Sequence, residues 1–274
     1  MWILAEPGQA FLAPNGRAVT GDIEIAARGG APLAIVTRLR REGRGMAFAG
    51  RGVVDAAGRL GGSLGEAALD AMAPAAAVAQ MRHGTARVIA VDEETDLLIE
   101  PVVGRPRVIV AGGGHVARAI ARQAQLLDFD VTILEDRPEF ADPDRFPGAT
   151  VLGGDVPRTI ASLEYGWNHF LVIATRGHKL DADCVRAAVD TPVGYIGLLG
   201  SRRKTVLVGQ MLREAGVDEA RIQDIRSPVG LDLGGRTPAE IALSVLAEIT
   251  AERYQGTGRP LGRSATGPGQ KSLP

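Results

Sequence analysis

The chain has 274 residues, 45% of them hydrophobic, enough to bury one large core or two modest ones. Thirty-one Lys and Arg stand against 32 Asp and Glu for a net charge of -1, so no global basic field draws in nucleic acid or an anionic lipid surface. One cysteine, Cys184, excludes an internal disulfide framework and an all-cysteine zinc site within one chain.

The opening stretch MWILAEPGQAFLAPNG (1–16) lacks the basic flank and clean apolar run of a signal peptide. No apolar run approaches the roughly 18 residues that span a bilayer. A soluble cytoplasmic protein is expected, with neither nucleic acid nor membrane as a partner. PLAIVTRLR (32–40), GMAFAGRGVVDAAGRLGG (45–62) and TARVIAVDEETDLLIEPV (85–102) are β-type runs separated by Gly and charged turns. Between them GEAALDAMAPAAAVAQMRHG (65–84) reads as a helix that Pro74 is expected to break or offset. Residues 1–103 therefore read as a small α+β domain, with VVGRPR (102–107) as a linker or strand lead-in.

From residue 104 the periodicity changes. PRVIVAGG, HVARAIARQAQLLDF, DVTILED, ATVLGGD, VPRTIASLEYG and HFLVIAT alternate short apolar runs with helical stretches, the pattern of βαβ units. Near-continuous apolar strands such as FLVIA predict a parallel sheet covered on both faces. DADCVRAAVD, PVGYIGLLGS, RRKTVLVGQMLREAG and a last helix TPAEIALSVLAEITAERY complete an α/β, Rossmann-like domain over 104–254. The tail 255–274, rich in Gly, Ser and Pro, has little to bury and is expected to be disordered.

Chemistry concentrates in four stretches. In VIVAGGGHVA (108–117), Gly112, Gly114 and Ala117 hold G-x-G-x-x-A spacing, with Gly113 between the two glycines. The first glycine permits the turn, the second lets backbone approach a phosphate, and the small third residue lets helix and strand pack. Asp136, 22 residues after Gly114, is placed to accept ribose hydroxyls, and Arg137 follows it. His115, between the second glycine and the helix, is either a helix-end side chain or a hydrogen-bonding group at a phosphate or ring. The other histidines, His83, His169 and His178, form no H-E-x-x-H or H-x-H pair, so a catalytic metal site within one chain has little support.

In VIATRGHKLDADC (172–184), Thr175, Arg176, His178 and Lys179 follow a strand on the edge where open α/β sheets bind ligands, and Asp181 is read as a helix cap. Cys184 falls near that helix's first turn, where the dipole favours a thiolate, although a buried inert thiol is the stronger reading. In IGLLGSRRKT (196–205), Gly200 ends a strand, Ser201 caps, and Arg202, Arg203 and Lys204 bring positive charge to a helix start. There they oppose the dipole unless an anion arrives. In PVGLDLGGRTPAEIA (228–242), Thr237, Pro238 and Glu240 spell a capping box, which leaves Asp232 and its glycines unexplained and candidates to line the same cleft.

The combination GGGHVARAI, EDRPEFADPDRFP, ATRGHKLD, YIGLLGSRRK and PVGLDLGGRTPAEIALSVLAEI resembles the XdhC/CoxI family over residues 98–250. These are accessory proteins for molybdenum hydroxylases such as xanthine dehydrogenase and aerobic carbon monoxide dehydrogenase. The resemblance implies a dimeric chaperone that binds molybdenum cofactor, as molybdopterin or its cytidine dinucleotide form. It also implies work with a cysteine desulfurase in sulfuration, and insertion of the cofactor into an apo molybdenum hydroxylase. The N-terminal half departs from the family: a stretch like GxLGGGCLE is replaced by GGSLGEAALD (61–70), with Glu66, Ala67 and Ala68 in place of two glycines and the cysteine. A thiol role at that position is absent.

Together these readings expect a cofactor site of Gly112, Gly113, Gly114, His115, Asp136, Arg137, Arg176, His178, Lys179, Gly200, Ser201, Arg202, Arg203, Lys204 and Asp232, with no catalytic residue. Two alternatives stand beside it. One is an NAD(P)-dependent oxidoreductase, with His178 as the reasonable proton donor; the other is a protein-binding scaffold without ligand.

Overall fold

A computed structural model of the chain describes residues 19–43 and 45–262. The readings of 1–16 as lacking a signal peptide and of 263–274 as disordered lie outside the described residues; 256–262 form neither helix nor strand.

The N-terminal unit contains α1 (Val19–Ala27), β1 (Leu33–Glu42), β2 (Gly45–Asp55), β3 (Leu60–Ser63), α2 (Ala67–His83), β4 (Arg87–Ala90) and β5 (Thr95–Val102). Its strands form an antiparallel sheet in the order β3-β2-β1-β5-β4. Alternation along β1 sends Ala34 and Val36 to the face covered by α2, and Leu33 and Ile35 to the face covered by α1. The sequence reading expected Pro74 to break or offset the helix, yet α2 runs through it without interruption. Proline forfeits one helical hydrogen bond, a cost of about 3 kcal/mol. Leu69, Ala73, Ala77 and Met81, one turn apart on the buried face, offset it by packing on the sheet in an alanine-rich helix. The short helix α1 was not anticipated, because VTGDIEIAA carries a glycine and four β-branched residues; Ala26 and Ile23 packing on Leu33 and Val53 hold it.

The C-terminal unit runs β6 (Arg107–Ala111), α3 (His115–Leu126), β7 (Asp130–Glu135), β8 (Thr150–Gly153), α4 (Val156–Ser162), β9 (His169–Ile173), α5 (His178–Val189), β10 (Tyr195–Leu198), α6 (Arg202–Glu214), α7 (Glu219–Gln223) and α8 (Pro238–Tyr254). The strands are all parallel in the order β10-β9-β6-β7-β8, as the βαβ reading expected. Val108 and Val110 of β6 face α3 and α8, while Ile109 and Ala111 face α4, α5 and α6. This two-sided cover explains the unbroken apolar strands. Strand order reverses between β6 and β9, the switch point where such sheets open a crevice at their C-terminal edge.

The two units meet at the opposite edge. Asn168, just before β9, donates from Nδ2 to the Gly104 carbonyl at 2.6 Å. Backbones approach so closely that a Cβ on Gly104 would lie 2.3 Å from the Cα of Gly29. The His83 ring stacks on Tyr254 at 5.6 Å. His169 is buried beside this junction, its Nδ1 accepting from the Gly166 amide at 2.9 Å. The junction leaves the C-terminal edge of the parallel sheet free of the N-terminal unit's strands. Among the described residues, no helix is long and apolar enough to cross a membrane.

Candidate functional site

At the end of β6 the chain turns through Gly112 at φ +119°, a region that strains any residue with a side chain. A Cβ there would also lie 2.4 Å from the Ala174 carbonyl oxygen. A Cβ on Gly113 would sit 2.9 Å from a Glu135 carboxylate oxygen. One on Gly114 would meet nothing within 4 Å. Gly114 is the N-cap of α3 and supplies no side-chain acceptor, so no cap side chain takes up the first amides of that helix. Ala117 is buried against the strand, which satisfies the small-residue spacing.

The acid that meets this turn is Glu135, the last residue of β7, and not its neighbour Asp136. Glu135 is 1% exposed and accepts from the Gly113 amide at 2.5 Å, from the Arg137 amide at 3.0 Å, and from Arg137 Nε and Nη2 at 2.8 Å each. Four donors occupy the roughly four acceptor positions of a carboxylate. Burial alone would raise the Glu135 carboxyl; the bonds from Arg137, Asp136 and Gly113 outweigh it and hold it at about 2. Asp136, its side chain 41% exposed, is pushed up by its hydrogen bond to Glu135, by burial and by that like charge, while the Arg176 guanidinium pulls the other way. Arg176 thus lies within electrostatic reach of Asp136 across the glycine turn.

The Arg137 guanidinium stacks on Phe140 at 3.7 Å, Arg145 stacks on the same ring at 4.3 Å, and Arg145 Nη2 donates to the Gly113 carbonyl at 3.2 Å. Arg137 is therefore committed to bracing the turn. Sequence reasoning missed Glu135; the available signal was an ionisable residue directly after the apolar pair Ile133 and Leu134 at the end of a strand.

The loop after β9 leads into α5, which starts at His178 with Gly177 as N-cap. Asp181 does not cap it, contrary to the sequence reading, because it lies inside the first turn. It is 0% exposed, accepts from Thr175 Oγ1 at 2.7 Å and pairs with Lys204 Nζ at 2.5 Å. Lys204 Nζ also donates to the Leu199 carbonyl at 2.9 Å. The lysine stem crosses Gly200 so closely that a Cβ there would lie 2.4 Å from Lys204 Cδ, a structural reason for that glycine. Ser201 caps α6 as expected, accepting from the Lys204 amide at 3.3 Å.

The cluster of three cations thus divides. Lys204 is held inside by Asp181, whereas Arg202 and Arg203 are exposed and make no hydrogen bond or ion pair among the described residues. The same holds for His115, Arg176, His178 and Lys179. Cys184 is fully buried, one turn beyond Asp181. Burial first, then the Asp181 carboxylate, push its thiol up to about 12, so the dipole at the helix start does not activate it.

A cleft of about 570 Å³ opens between the Leu199–Arg202 segment after β10 and the 228–235 strap over α8. The strap is anchored twice. Glu248 accepts from Tyr195 Oη at 2.6 Å and from the Gly230 amide at 2.8 Å, and Ser244 accepts at its carbonyl from the Leu231 amide at 3.1 Å. Thr237 and Glu240 complete the expected capping box, with Glu240 accepting from the Thr237 amide at 2.9 Å. Asp232 lines the cleft, exposed and without a partner among the described residues. Val116 of α3, Ala174, Leu199 and Ile241 pack against one core cluster, and the glycine turn after β6 and the cleft beside β10 both lie at the C-terminal edge of one parallel sheet. In the N-terminal unit, Glu66 ends as the N-cap of α2, and its carboxylate pairs with Arg38. Among the described residues no group of three or more His, Cys, Asp or Glu is arranged to hold a metal ion.

Residues 108–249 match the family model described as the XdhC Rossmann domain. The uncharacterized protein YqeB of Escherichia coli (strain K12) is 38% identical over 156 residues, which are 56% of this chain and 28% of that protein. A probable xanthine dehydrogenase subunit of Bacillus subtilis (strain 168) is 31% identical over 165 residues, 59% of this chain and 47% of that one. The molybdenum cofactor insertion chaperone PaoD of Escherichia coli (strain K12) is 29% identical over 147 residues, 54% of this chain and 40% of PaoD. The match spans less than half the length of each of these relatives.

Proposed function

The chain belongs to the XdhC family through its Rossmann domain, and from that premise we propose that it is an accessory protein that binds molybdenum cofactor, as molybdopterin or its cytidine dinucleotide form, and delivers it to an apo molybdenum hydroxylase of the xanthine dehydrogenase or carbon monoxide dehydrogenase type. The observation that carries the reading is the uncapped start of α3 at the switch point, with unpaired cations on the neighbouring helix starts. An anion there would satisfy the free amides and relieve Arg202 and Arg203, which otherwise oppose the dipole of α6. Gly112 to His115 are assigned the phosphate, with Arg176, His178 and Lys179 after the adjacent β9 and Arg202 and Arg203 after β10 beyond it. Asp136 and Asp232 are assigned hydrogen bonds to ring or sugar edges. Gly200, Ser201, Lys204 and Arg137 are assigned to holding these loops in place.

The cofactor is cargo in this reading, and the chain performs no catalytic step on it. PaoD, named as a molybdenum cofactor insertion chaperone, supports the assignment. Sulfuration would draw on a partner cysteine desulfurase without a thiol relay on this chain, since Cys184 is buried and its thiol is pushed up to about 12. Residues 103/104 are taken as the boundary between two domains, and the working form as a cytoplasmic homodimer.

The test is release of bound small molecules from protein co-expressed with the molybdenum-cofactor pathway, by acid oxidation and fluorescence for pterin and by mass spectrometry for nucleotides. Pterin near one per chain, lost when Arg202 and Arg203 are both replaced by Ala, is the expected result. Recovery of NAD(P), or of neither ligand, overturns the proposal.

A further inference from the structure

Resting on that reading, we infer that the cleft beside β10 is the ring subsite, and that Asp232 recognises the amidine-like N–H edge of a pterin. Location carries the first step. The β7 side of the glycine turn is closed by Glu135, Arg137, Phe140 and Arg145, each bonded or stacked on another member of the group or on Gly113. The cleft lies on the other side: the segment after β10 that lines it follows a strand two places from β6 in the same parallel sheet, so the cleft and the start of α3 share the C-terminal edge, with the loop after β9 between them. A molecule with its phosphate at Gly114 therefore extends toward β10.

The lining carries the second step. The cleft measures about 570 Å³, within the range of about 300–1,000 Å³ usual for small-molecule sites. Leu199, Val229, Leu231 and Ile241 supply apolar surface, and the glycine strap presents backbone without side chains, which suits a flat ring. The polar side chains are few: the Ser244 hydroxyl is spent on the Leu231 carbonyl, while Asp232 and Arg202 both line the cleft and neither has a partner among the described residues.

An ionised carboxylate only accepts hydrogen bonds, and it accepts two parallel N–H donors best. A pterin presents such a pair, the ring N–H beside the 2-amino group, with a carbonyl oxygen next to them for Arg202. Guanine presents the same edge. Cytosine and adenine each present an acceptor nitrogen beside the amino group, which would face the Asp232 carboxylate repulsively. The cleft thus selects the pterin end of the cofactor, and a cytidine, where present, lies elsewhere.

Binding of neopterin 3′-phosphate, GMP, CMP, AMP and inorganic pyrophosphate to the full chain, followed by pterin fluorescence and calorimetry, tests this. The expected order places the pterin and GMP at least about tenfold tighter than CMP and AMP, a difference of about 1.4 kcal/mol. In Asp232→Asn, selectivity for the pterin over pyrophosphate falls about tenfold, and in Gly114→Val both ligands are lost. If pyrophosphate and the pterin bind but Asp232→Asn leaves their ratio unchanged, or CMP equals the pterin, the ring subsite is overturned and the cofactor reading survives. If neither binds to the wild-type chain, the cofactor reading fails and the subsite falls with it.

Discussion

Replacing Lys204 by Met isolates the buried ion pair that ties the start of α6 to the start of α5. Lys204 Nζ stands 2.5 Å from Asp181 Oδ2. At an effective dielectric of about 20 that separation gives a gross attraction of about 6–7 kcal/mol. Desolvation of both charges cancels most of it, so the pair contributes little relative to a well-packed apolar pair. Removing the lysine alone is different, because Asp181 remains 0% exposed with only the Thr175 hydroxyl beside it. An uncompensated buried carboxylate costs about 3–5 kcal/mol. The lysine side chain is 14% exposed, so water reaches the vacated space and the lower end, about 3 kcal/mol, is expected. Urea unfolding followed by circular dichroism measures this through the shift in midpoint at constant slope. The double variant Asp181→Leu with Lys204→Met should recover to within about 1 kcal/mol of the wild type, since both charges are gone. A single variant within about 1 kcal/mol of wild type, or a double variant no better than the single, refutes the account.

Three further outcomes follow from buried groups and from the turn. His169 is held at about 4, by burial first and then by the nearby Arg107, below its usual value near 6.5, so the unfolded chain gains a proton that the folded chain refuses. Its contribution is complete above about pH 6.5 and is lost as pH falls toward 4, by about 3 kcal/mol; His169→Gln should flatten the stability curve across that window, and an unchanged curve counts against it. Cys184, pushed up to about 12 by burial and then by Asp181, should react with a disulfide reagent at pH 8 only after unfolding, and a stoichiometric reaction in the native protein contradicts the assignment. Gly112→Ala, which places a Cβ 2.4 Å from the Ala174 carbonyl oxygen at φ +119°, should cost at least about 2 kcal/mol in thermal unfolding, whereas Gly114→Ala, which meets nothing within 4 Å, should cost under about 1 kcal/mol.

What was legible in the sequence follows from the range of each interaction. The parallel strands could be read because cover on both faces demands unbroken apolar runs, and the glycine turn because positive φ and close approach admit few other residues. The helix α1 could not, since its stability comes from Leu33 and Val53 rather than from its own composition. The choice between Glu135 and Asp136 depends on which of two adjacent acids ends the strand, a difference of one residue that reverses burial.

The basic run at 202–204 shows how function and fold share a segment. All three charges oppose the same helix dipole, and local sequence treats them alike. Asp181, 23 residues before Lys204, neutralises one of them and leaves Arg202 and Arg203 uncompensated. That surplus stands at the start of α6, where Arg202 lines the cleft, on the same sheet edge as the uncapped start of α3. Destabilising charge kept in such a place is what an anion site requires, because the ligand supplies the missing countercharge and its binding energy grows with the repulsion it relieves.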